Sequence, residues 1–143
     1  MHRLARLAIA TALVAACAVA PALAASSPKR GYYIDAKLQT YIITTKDVSA
    51  IKSFQQPCVN SDGVSQGGSF TVSRKIKLKP GGGFSYTGKA KIYTSDPKPK
   101  IGTVTITASF KNGKYKGTAT FPKGYACAPA NFSAKYYGVN PGG

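Results

Sequence analysis

Between Tyr32 and Tyr137, short runs of alternating apolar and polar residues are separated by clusters of Gly, Pro, Asn and Asp. The runs are rich in Val, Ile, Thr, Tyr and Phe, and the clusters recur about every ten residues, a spacing typical of all-β sandwiches and barrels. The sequence of this region lacks the apolar period of a long amphipathic helix. The pattern therefore predicts an all-β fold, an antiparallel β-barrel or sandwich of about eight strands.

The strands are predicted at residues 32–38, 40–45, 50–55, 69–79, 84–94, 101–111, 114–121 and 132–137. Residues 25–30 and 139–143 flank these runs without any alternation, and we expect them to be frayed ends. The ordered core is accordingly expected to span about residues 31–137 within a single domain.

Two hairpins can be registered from their turns. Asn112-Gly113 favours a type I′ turn, because both central residues of that turn need a positive φ. Counting outward from it places Phe110 opposite Tyr115, Ala108 opposite Gly117, Ile106 opposite Ala119 and Val104 opposite Phe121. One face of this hairpin is therefore apolar, and the other carries Thr and Lys side chains.

The second turn is assigned to Gly81-Gly82-Gly83, which places Val72 opposite Ile92. The outer face of this hairpin then collects five lysines: Lys75, Lys77, Lys79, Lys89 and Lys91. In this registration Lys75 lies directly across from Lys89, and like charges in that position are mildly destabilising. We interpret the face either as a binding surface for polyanions or as protection of a sheet edge against aggregation.

Residues 1–24 have the composition of a secretory signal peptide. Arg3 and Arg6 form its positive n-region, residues 7–19 are apolar and uncharged, and Ala22-Leu23-Ala24 is a small-x-small cleavage signature. We expect a bacterial protein in which residues 25–143 form a single β domain that is secreted, periplasmic or at the cell surface. The apolar run is too short for a membrane span, which needs about 20 residues.

An alternative interpretation is a lipoprotein signal. Val14-Ala15-Ala16-Cys17 resembles a bacterial lipobox, in which Cys17 becomes the first mature residue and carries the lipid. In that case the same domain is anchored to a membrane surface.

The cysteine count predicts one disulfide. Removal of Cys17 with the signal leaves Cys58 and Cys127, an even number in an exported chain. Metal ligation or a catalytic thiol would need a neighbouring His or further Cys, and the only histidine, His2, lies in the signal. Closing a loop of about 70 residues is expected to stabilise the fold by about 4 kcal/mol.

The charge is strongly lopsided, with 20 Lys plus Arg against 4 Asp plus Glu and a formal net charge of +16. Loss of Arg3 and Arg6 lowers the net charge to about +14, mostly from lysine, a hydrated point charge suited to solubility and diffuse attraction. Two interpretations remain open. The first is a solubilising surface, and the second is attraction to anionic polysaccharide, an envelope polymer or an anionic lipid surface. No specific nucleic acid partner is predicted.

The composition removes the usual parts of most active sites. With no Glu, and no His after the signal, no cofactor or metal site is predicted. A two-carboxylate mechanism would need two of the four Asp, but Asp47, Asp62 and Asp96 fall in predicted turns, where Asp usually bonds its own backbone. We predict no enzymatic activity, and a small enzyme with a Ser-Lys or Tyr-based site is the alternative.

All the tyrosines follow the predicted signal. Interleaved Tyr and Lys can combine stacking with charge on sugars or bases, whereas Tyr is also a favoured strand residue with a wet tip. We expect most of them to border the core. Those near predicted strand ends or loops are Tyr32, Tyr33, Tyr93, Tyr125, Tyr136 and Tyr137.

The β region of the mature chain starts with Gly31-Tyr32, has its first Cys after the third strand, has Gly-punctuated hairpins, and has its last strand soon after the second Cys. In these features it resembles small secreted bacterial all-β proteins with one disulfide and no assigned function. The resemblance covers most of residues 31–137. It implies the all-β fold and the Cys58 to Cys127 bridge, and it implies no activity.

Together these observations favour one function and leave two alternatives. We expect an exported, non-enzymatic binding module of the cell envelope or extracellular space, whose lysine face contacts anionic polymers. The first alternative is a structural surface protein without a specific ligand. The second is the small secreted enzyme with a Ser-Lys or Tyr-based site.

Overall fold

The computed structural model describes residues 26–139, and their strands all belong to one antiparallel sheet. The predicted signal peptide, the lipobox with Cys17 and residues 140–143 lie outside the described residues. Within residues 26–139 there is no helix long and apolar enough to cross a membrane, and the regular structure consists of strands alone. The all-β prediction is confirmed.

Residues 26–139 form nine strands that close into a ring. The strands are β1 (Tyr32–Asp35), β2 (Thr40–Thr44), β3 (Ala50–Val59), β4 (Ser65–Val72), β5 (Ile76–Lys77), β6 (Phe84–Tyr93), β7 (Lys100–Lys111), β8 (Lys114–Thr120) and β9 (Ala130–Gly138). In ring order they are β2-β1-β9-β8-β7-β6-β4-β3-β5, and β2 also pairs with β3. The pairing of β2 with β3 closes a barrel, and the short β5 pairs with the beginning of β3.

Because neighbouring strands are antiparallel, the connections alternate between the two ends of the barrel. The β2-β3, β5-β6 and β7-β8 connections lie at one end, where residues 26–31 also enter β1. We name this the basic end, for the charges described below. The β1-β2, β3-β4, β6-β7 and β8-β9 connections lie at the opposite end, which we name the disulfide end.

The disulfide predicted between Cys58 and Cys127 is present. It joins the end of β3 to the β8-β9 connection, with Cα atoms 5.2 Å apart and a sequence separation of 69 residues. Beside it, the Ala128 N–H donates a hydrogen bond to the Val59 carbonyl over 2.8 Å. The long β8-β9 connection is thereby held against β3.

Large apolar side chains fill the barrel interior. Phe54 lies in aromatic contact with Phe70, Phe84 and Phe132. At this packing the interior is a solid core rather than a ligand-holding channel. The largest fully buried side chains include Tyr33, Tyr115, Phe54, Phe70, Phe84, Ile42, Ile51, Ile92 and Ile106.

The Asn112-Gly113 hairpin forms as predicted. Asn112 and Gly113 have φ angles of 53° and 73°, as the turn requires. The predicted pairs of Phe110 with Tyr115, Ala108 with Gly117 and Ile106 with Ala119 are all present. The pairing of β7 with β8 ends at Thr105 and Thr120, so Val104 and Phe121 lie just beyond the paired residues.

The predicted registration of the Gly81-Gly82-Gly83 hairpin is wrong by two residues. Phe70, and not Val72, lies opposite Ile92. The turn begins one residue earlier than predicted, because Gly81 and Gly82 take the positive φ angles of 88° and 92°, and the Lys79 N–H donates to the Gly83 carbonyl over 2.7 Å. A two-residue shift is one full period of a strand, so the inward and outward faces are still assigned correctly.

The single strand predicted at residues 69–79 is interrupted. Val72 lies opposite Phe54 of β3, and Ile76 lies opposite Ile51. The chain therefore advances four residues from Val72 to Ile76, whereas β3 has only three from Phe54 to Ile51. The extra residue interrupts the regular ladder, and residues 73–75 lie outside the strands between β4 and β5. Lys75 lies in this irregular segment, and Lys89 pairs with Thr103 of β7 rather than facing Lys75.

Candidate functional site

Acidic and basic residues are divided unequally between the two ends of the barrel. Asp35, Asp62 and Asp96 lie towards the disulfide end, whereas Asp47 lies in the β2-β3 connection at the other end. The cations towards the disulfide end are Lys37, Lys91, Lys98, Lys100 and Lys123, and Lys89 and Lys116 lie on the wall between the two ends. The basic end and the strand segments beside it carry Lys29, Arg30, Lys46, Lys52, Arg74, Lys75, Lys77, Lys79, Lys111, Lys114 and Lys135. The fold therefore has a strong charge asymmetry along the barrel axis, with a positive potential at one end.

The aspartates are held in local structure. The buried Asp35 carboxylate accepts hydrogen bonds from the backbone N–H groups of Lys37 and Ser133, at 2.9 and 2.7 Å. Asp96 forms a salt bridge with Lys100 over 2.9 Å, and this contact raises the pKa of Lys100. Each carboxylate thus stabilises a connection at the disulfide end.

Asp47, the aspartate of the basic end, is also bonded within its own turn. Its carboxylate accepts hydrogen bonds from the hydroxyls of Thr45 and Ser49, at 2.6 and 2.8 Å. These bonds favour the charged form and lower the pKa of Asp47 to about 2. The carboxylate is therefore occupied by the turn that contains it.

Residues 26–30, which we name the terminal strap, cross the basic end. The Lys29 N–H donates to the Tyr33 hydroxyl over 2.6 Å, and the Thr44 hydroxyl donates to the Lys29 carbonyl over 3.1 Å. The Tyr136 hydroxyl donates to the Arg30 carbonyl over 3.1 Å. Side chains of β1, β2 and β9 thus bond backbone groups of the strap, whose residues were expected to be frayed.

The strap also touches two turns of the basic end. The Gly113 N–H donates to the Ser26 hydroxyl oxygen over 3.1 Å. A Cβ atom at Gly82 would overlap the ring of Pro28, so the strap passes close to the β5-β6 turn because that residue is glycine. Gly82 also has a φ of 92°, which independently favours glycine.

A half-open cleft of about 830 Å³ lies between the terminal strap and the β7-β8 turn. We name it the strap cleft. Hydroxyl groups, cations and aromatic rings all line it, including Ser26, Ser27, Lys29, Phe110, Lys111 and Tyr136. Its size is in the range of small-ligand pockets.

Aromatic rings form the floor of the strap cleft. The Tyr33 ring contacts the rings of Phe110, Tyr115 and Tyr136, with centroids 6.0, 4.9 and 5.3 Å apart. The Lys29 Nζ atom lies 5.6 Å from the centroid of the Tyr136 ring, within the range of a cation–π contact. The cleft therefore presents a positive charge beside a partly exposed aromatic ring.

Tyr33 and Tyr115 differ in their polar contacts. Tyr33 exchanges hydrogen bonds with the backbone of Lys29, whereas the buried Tyr115 hydroxyl has no hydrogen-bond partner among the described residues. Burial raises the pKa of Tyr115, and the neighbouring Tyr33 raises it further. Burial also raises the pKa of Tyr33.

The structure does not gather the five predicted lysines on one two-stranded face. Lys75, Lys77 and Lys79 lie at the basic end, and the Lys79 ammonium donates to the Ser85 hydroxyl over 2.8 Å. Lys89 and Lys91 are exposed farther along β6, opposite Thr103 and Ile101 of β7. The predicted patch is thus split between the barrel end and the outer wall.

Sequence reasoning missed a lysine row at the basic end. Lys111 lies opposite Lys114, and Lys114 lies opposite Lys135, so the row crosses β7, β8 and β9. The first pair follows from the Asn112-Gly113 turn, which is visible in the sequence. The addition of Lys135 requires the pairing of β8 with β9, which no local turn specifies. Lys29 was missed because its segment was expected to be frayed.

Within residues 26–139, no group of three or more His, Cys, Asp or Glu side chains is placed to hold a metal ion. The contact of Lys79 with Ser85 joins two exposed side chains, and in it the ammonium donates to the hydroxyl. An activating base would instead accept the hydroxyl proton. The features of the basic end that a ligand can contact are mainly its cations and its aromatic rings.

Compared with protein-family models, with curated proteins and with solved structures, the chain matches none.

Proposed function

We propose that this protein is an exported, non-enzymatic binding module whose basic end holds anionic polymers, such as an acidic polysaccharide or another acidic envelope polymer. The observation that carries the proposal is the separation of charge along the barrel. Cations concentrate at one end, where Asp47 is the acidic residue, and the other aspartates lie towards the opposite end. Such an asymmetric field orients the protein towards a polyanion and speeds its association.

The identity of the cations suits a polymer better than a single compact anion. They are mainly lysines, which act as hydrated point charges and impose little geometry on their partner. The lysine row of Lys111, Lys114 and Lys135 spaces its charges over neighbouring strands, about 5 Å apart per strand. A chain with repeated negative charges can meet several of them at once and release its counterions.

An exported location is consistent with the disulfide between Cys58 and Cys127. Disulfides form and persist in oxidising compartments such as the periplasm and the extracellular space. The signal predicted in residues 1–24 provides the route to such a compartment.

Polygalacturonate binding measured at increasing salt concentration tests this proposal. The basic-end variant replaces Lys75, Lys77 and Lys135 with Gln, and the control replaces Lys37, Lys98 and Lys123 with Gln. Both variants lose the same net charge. We expect the basic-end variant to bind more weakly and to reduce the slope of log K against log salt by up to about three, since each released counterion contributes about one.

The control variant is expected to change that slope by less than about one. Equal losses in the two variants would show that only the overall charge attracts the polymer, and the proposal would be wrong. Absence of binding in the unaltered protein would favour a structural surface protein without a ligand.

A further inference from the structure

We infer that the strap cleft is the specific subsite of this binding module and that it takes one acidic sugar unit, a hexuronate, of an anionic polysaccharide. This inference rests on the proposed function and narrows it from a charged surface to a defined pocket. Three properties of the cleft carry it: the charges that line it, the aromatic surface beside them, and the hydroxyl groups of the strap.

The cleft is selective for anions. Lys29 and Lys111 line it from opposite sides, one on the terminal strap and the other at the end of β7, and the described residues that line it include no acid. Asp47, the acid of the basic end, lies in the β2-β3 connection and is bonded there to Thr45 and Ser49. A carboxylate in the cleft would therefore meet two cations without a competing negative charge.

The cleft also offers apolar surface of limited size. Tyr136 is 37% exposed and Phe110 is half-buried, so both rings present part of their surface to the cleft. Lys29 already lies over the Tyr136 ring, which places the charge and the apolar surface side by side. A hexuronate has the matching pair of features, a carboxylate next to the C–H groups of a pyranose ring.

Polar side chains complete the rim. Ser26, Ser27 and Asn112 line the cleft and provide both hydrogen-bond donors and acceptors. The Ser26 oxygen already accepts from the Gly113 N–H, so its own O–H remains a donor for a ligand. Hydroxyl and amide groups around a small apolar patch suit a polyhydroxylated ring better than a nucleobase, which needs an open aromatic face for stacking.

The floor of the cleft excludes long apolar ligands. Tyr33 is 1% exposed, and Tyr115 below it is fully buried. The core behind these rings is filled by Phe84 and Phe54. An acyl chain would have no passage into the barrel, so the ligand must sit at its mouth.

The surroundings of the cleft show how a polymer would continue beyond it. Lys111 lines the cleft and is also the first member of the lysine row with Lys114 and Lys135. Neighbouring strands lie about 5 Å apart, which is close to the length of one pyranose residue along a chain. Successive carboxylates could therefore meet successive lysines once the first sugar occupies the cleft.

The test is calorimetric titration of the mature protein with trigalacturonate. Lys111→Gln and Lys114→Gln form a matched pair, because the two residues lie opposite each other at the basic end and only Lys111 lines the cleft. We expect Lys111→Gln to weaken trimer binding about tenfold, the loss typical of a hydrogen bond to a charged group. Lys114→Gln should weaken it less than about threefold, as a peripheral charge does.

A second pair of variants blocks the cleft without a change of charge. Ser27→Tyr places a ring inside it, and Ser61→Tyr adds the same ring at the exposed β3-β4 connection of the disulfide end. Trimer binding should be lost in the first variant and retained in the second. Thermal unfolding of both variants verifies that the fold is intact.

Other ligands identify the chemistry that is recognised. The fully methyl-esterified trimer keeps the rings but lacks the charge, inorganic phosphate keeps a charge without a ring, and uridine monophosphate carries both a base and a phosphate. We expect each to bind at least about tenfold more weakly than trigalacturonate. Tighter binding of uridine monophosphate would overturn the inference in favour of a nucleotide.

The failure of the subsite and the failure of the proposed function give different results. Equal effects of Lys111→Gln and Lys114→Gln, or trimer binding that survives Ser27→Tyr, would overturn the subsite. Long polygalacturonate would still depend on the basic-end lysines in that case. Loss of that dependence as well would overturn both.

Discussion

The rings of Tyr33 and Tyr115 meet edge to face with their centroids 4.9 Å apart, yet of these two hydroxyls only that of Tyr33 is hydrogen-bonded within the described residues. Tyr33 donates to and accepts from the backbone of Lys29, and so connects the core to the terminal strap. Tyr115 brings a hydroxyl into the same core without such a bond. Tyr33 therefore stabilises the basic end, whereas the unbonded hydroxyl of Tyr115 lowers the free energy of unfolding.

The first prediction contrasts these two residues. Tyr115→Phe is expected to raise the free energy of unfolding by about 1 kcal/mol, because it removes a buried polar group that has no partner. Tyr33→Phe is expected to lower it by about 1 kcal/mol, because it breaks both bonds to Lys29. Urea unfolding at neutral pH measures both changes. A loss of stability in Tyr115→Phe comparable to that in Tyr33→Phe would contradict the assignment.

The same tyrosine predicts a response to alkaline pH. Burial raises the pKa of Tyr115 in the folded state, whereas an unfolded tyrosine ionises near pH 10. Above about pH 10 the unfolded chain has lost this proton and the folded chain has kept it, so stability falls as the pH rises. Between pH 8 and 11 the free energy of unfolding should therefore fall less steeply with pH for Tyr115→Phe than for the unaltered protein. An equal dependence on pH in the two proteins would show that the Tyr115 hydroxyl reaches solvent.

How much of this site could be predicted from the sequence depends on how local each feature is. The Asn112-Gly113 turn fixes its own register, because the two residues with positive φ must be the turn. Three consecutive glycines at Gly81-Gly82-Gly83 allow more than one register, so these residues alone did not identify the pairing of Phe70 with Ile92 that the structure has.

The terminal strap and the charge asymmetry are not local features. The strap's partners, Thr44, Gly113 and Tyr136, are spread over most of the sequence, and no short pattern brings them together. The basic end likewise emerges only when the closing pair of β2 and β3 and the direction of each strand are known. The lysines were visible in the sequence, but the surface they share depends on the closed topology.

At the opposite extreme of pH, Asp47 is expected to contribute stability. Its pKa of about 2 in the folded state lies below the usual value of about 4. Because this pKa is lowered on folding, the contribution is present above about pH 4 and is lost as the pH falls towards 2. Asp47→Asn should therefore lower the melting temperature at pH 7, and the difference from the unaltered protein should shrink below pH 3.

Asp62→Asn is the control for this experiment, because Asp62 is an exposed aspartate in the β3-β4 connection. It removes the same charge without the hydrogen bonds from Thr45 and Ser49. Equal melting temperatures for the two variants across this pH range would contradict the role assigned to Asp47.

The disulfide should account for a large part of the stability. Replacing Cys58 and Cys127 together with Ser is expected to lower the free energy of unfolding by about 4 kcal/mol, since the open chain regains the entropy of a loop of 69 residues. Thiol titration of the denatured, unreduced protein measures directly whether the two cysteines are bonded. Titration of both cysteines as free thiols in that state would contradict the bond.

The last prediction concerns the contact between the terminal strap and the β5-β6 turn. Gly81 and Gly82 have nearly the same φ, 88° and 92°, so alanine at either position meets the same backbone strain. Their surroundings differ, because a Cβ atom at Gly81 meets open space whereas one at Gly82 overlaps the ring of Pro28. Gly82→Ala should therefore cost about 1 kcal/mol more stability than Gly81→Ala, the usual scale of overpacking.

Hydrogen exchange locates the origin of that difference. The Lys29 N–H is bonded to the Tyr33 hydroxyl, and the Gly113 N–H is bonded to Ser26. Displacement of the strap by Gly82→Ala should accelerate exchange at both amides, whereas Gly81→Ala should leave them protected. The Leu78 N–H, which donates to the Ser49 carbonyl in the body of the barrel, should stay protected in both variants. If the two variants exchanged alike at Lys29 and Gly113, the stability difference would have to arise within the turn itself, and the strap would not be held by Gly82.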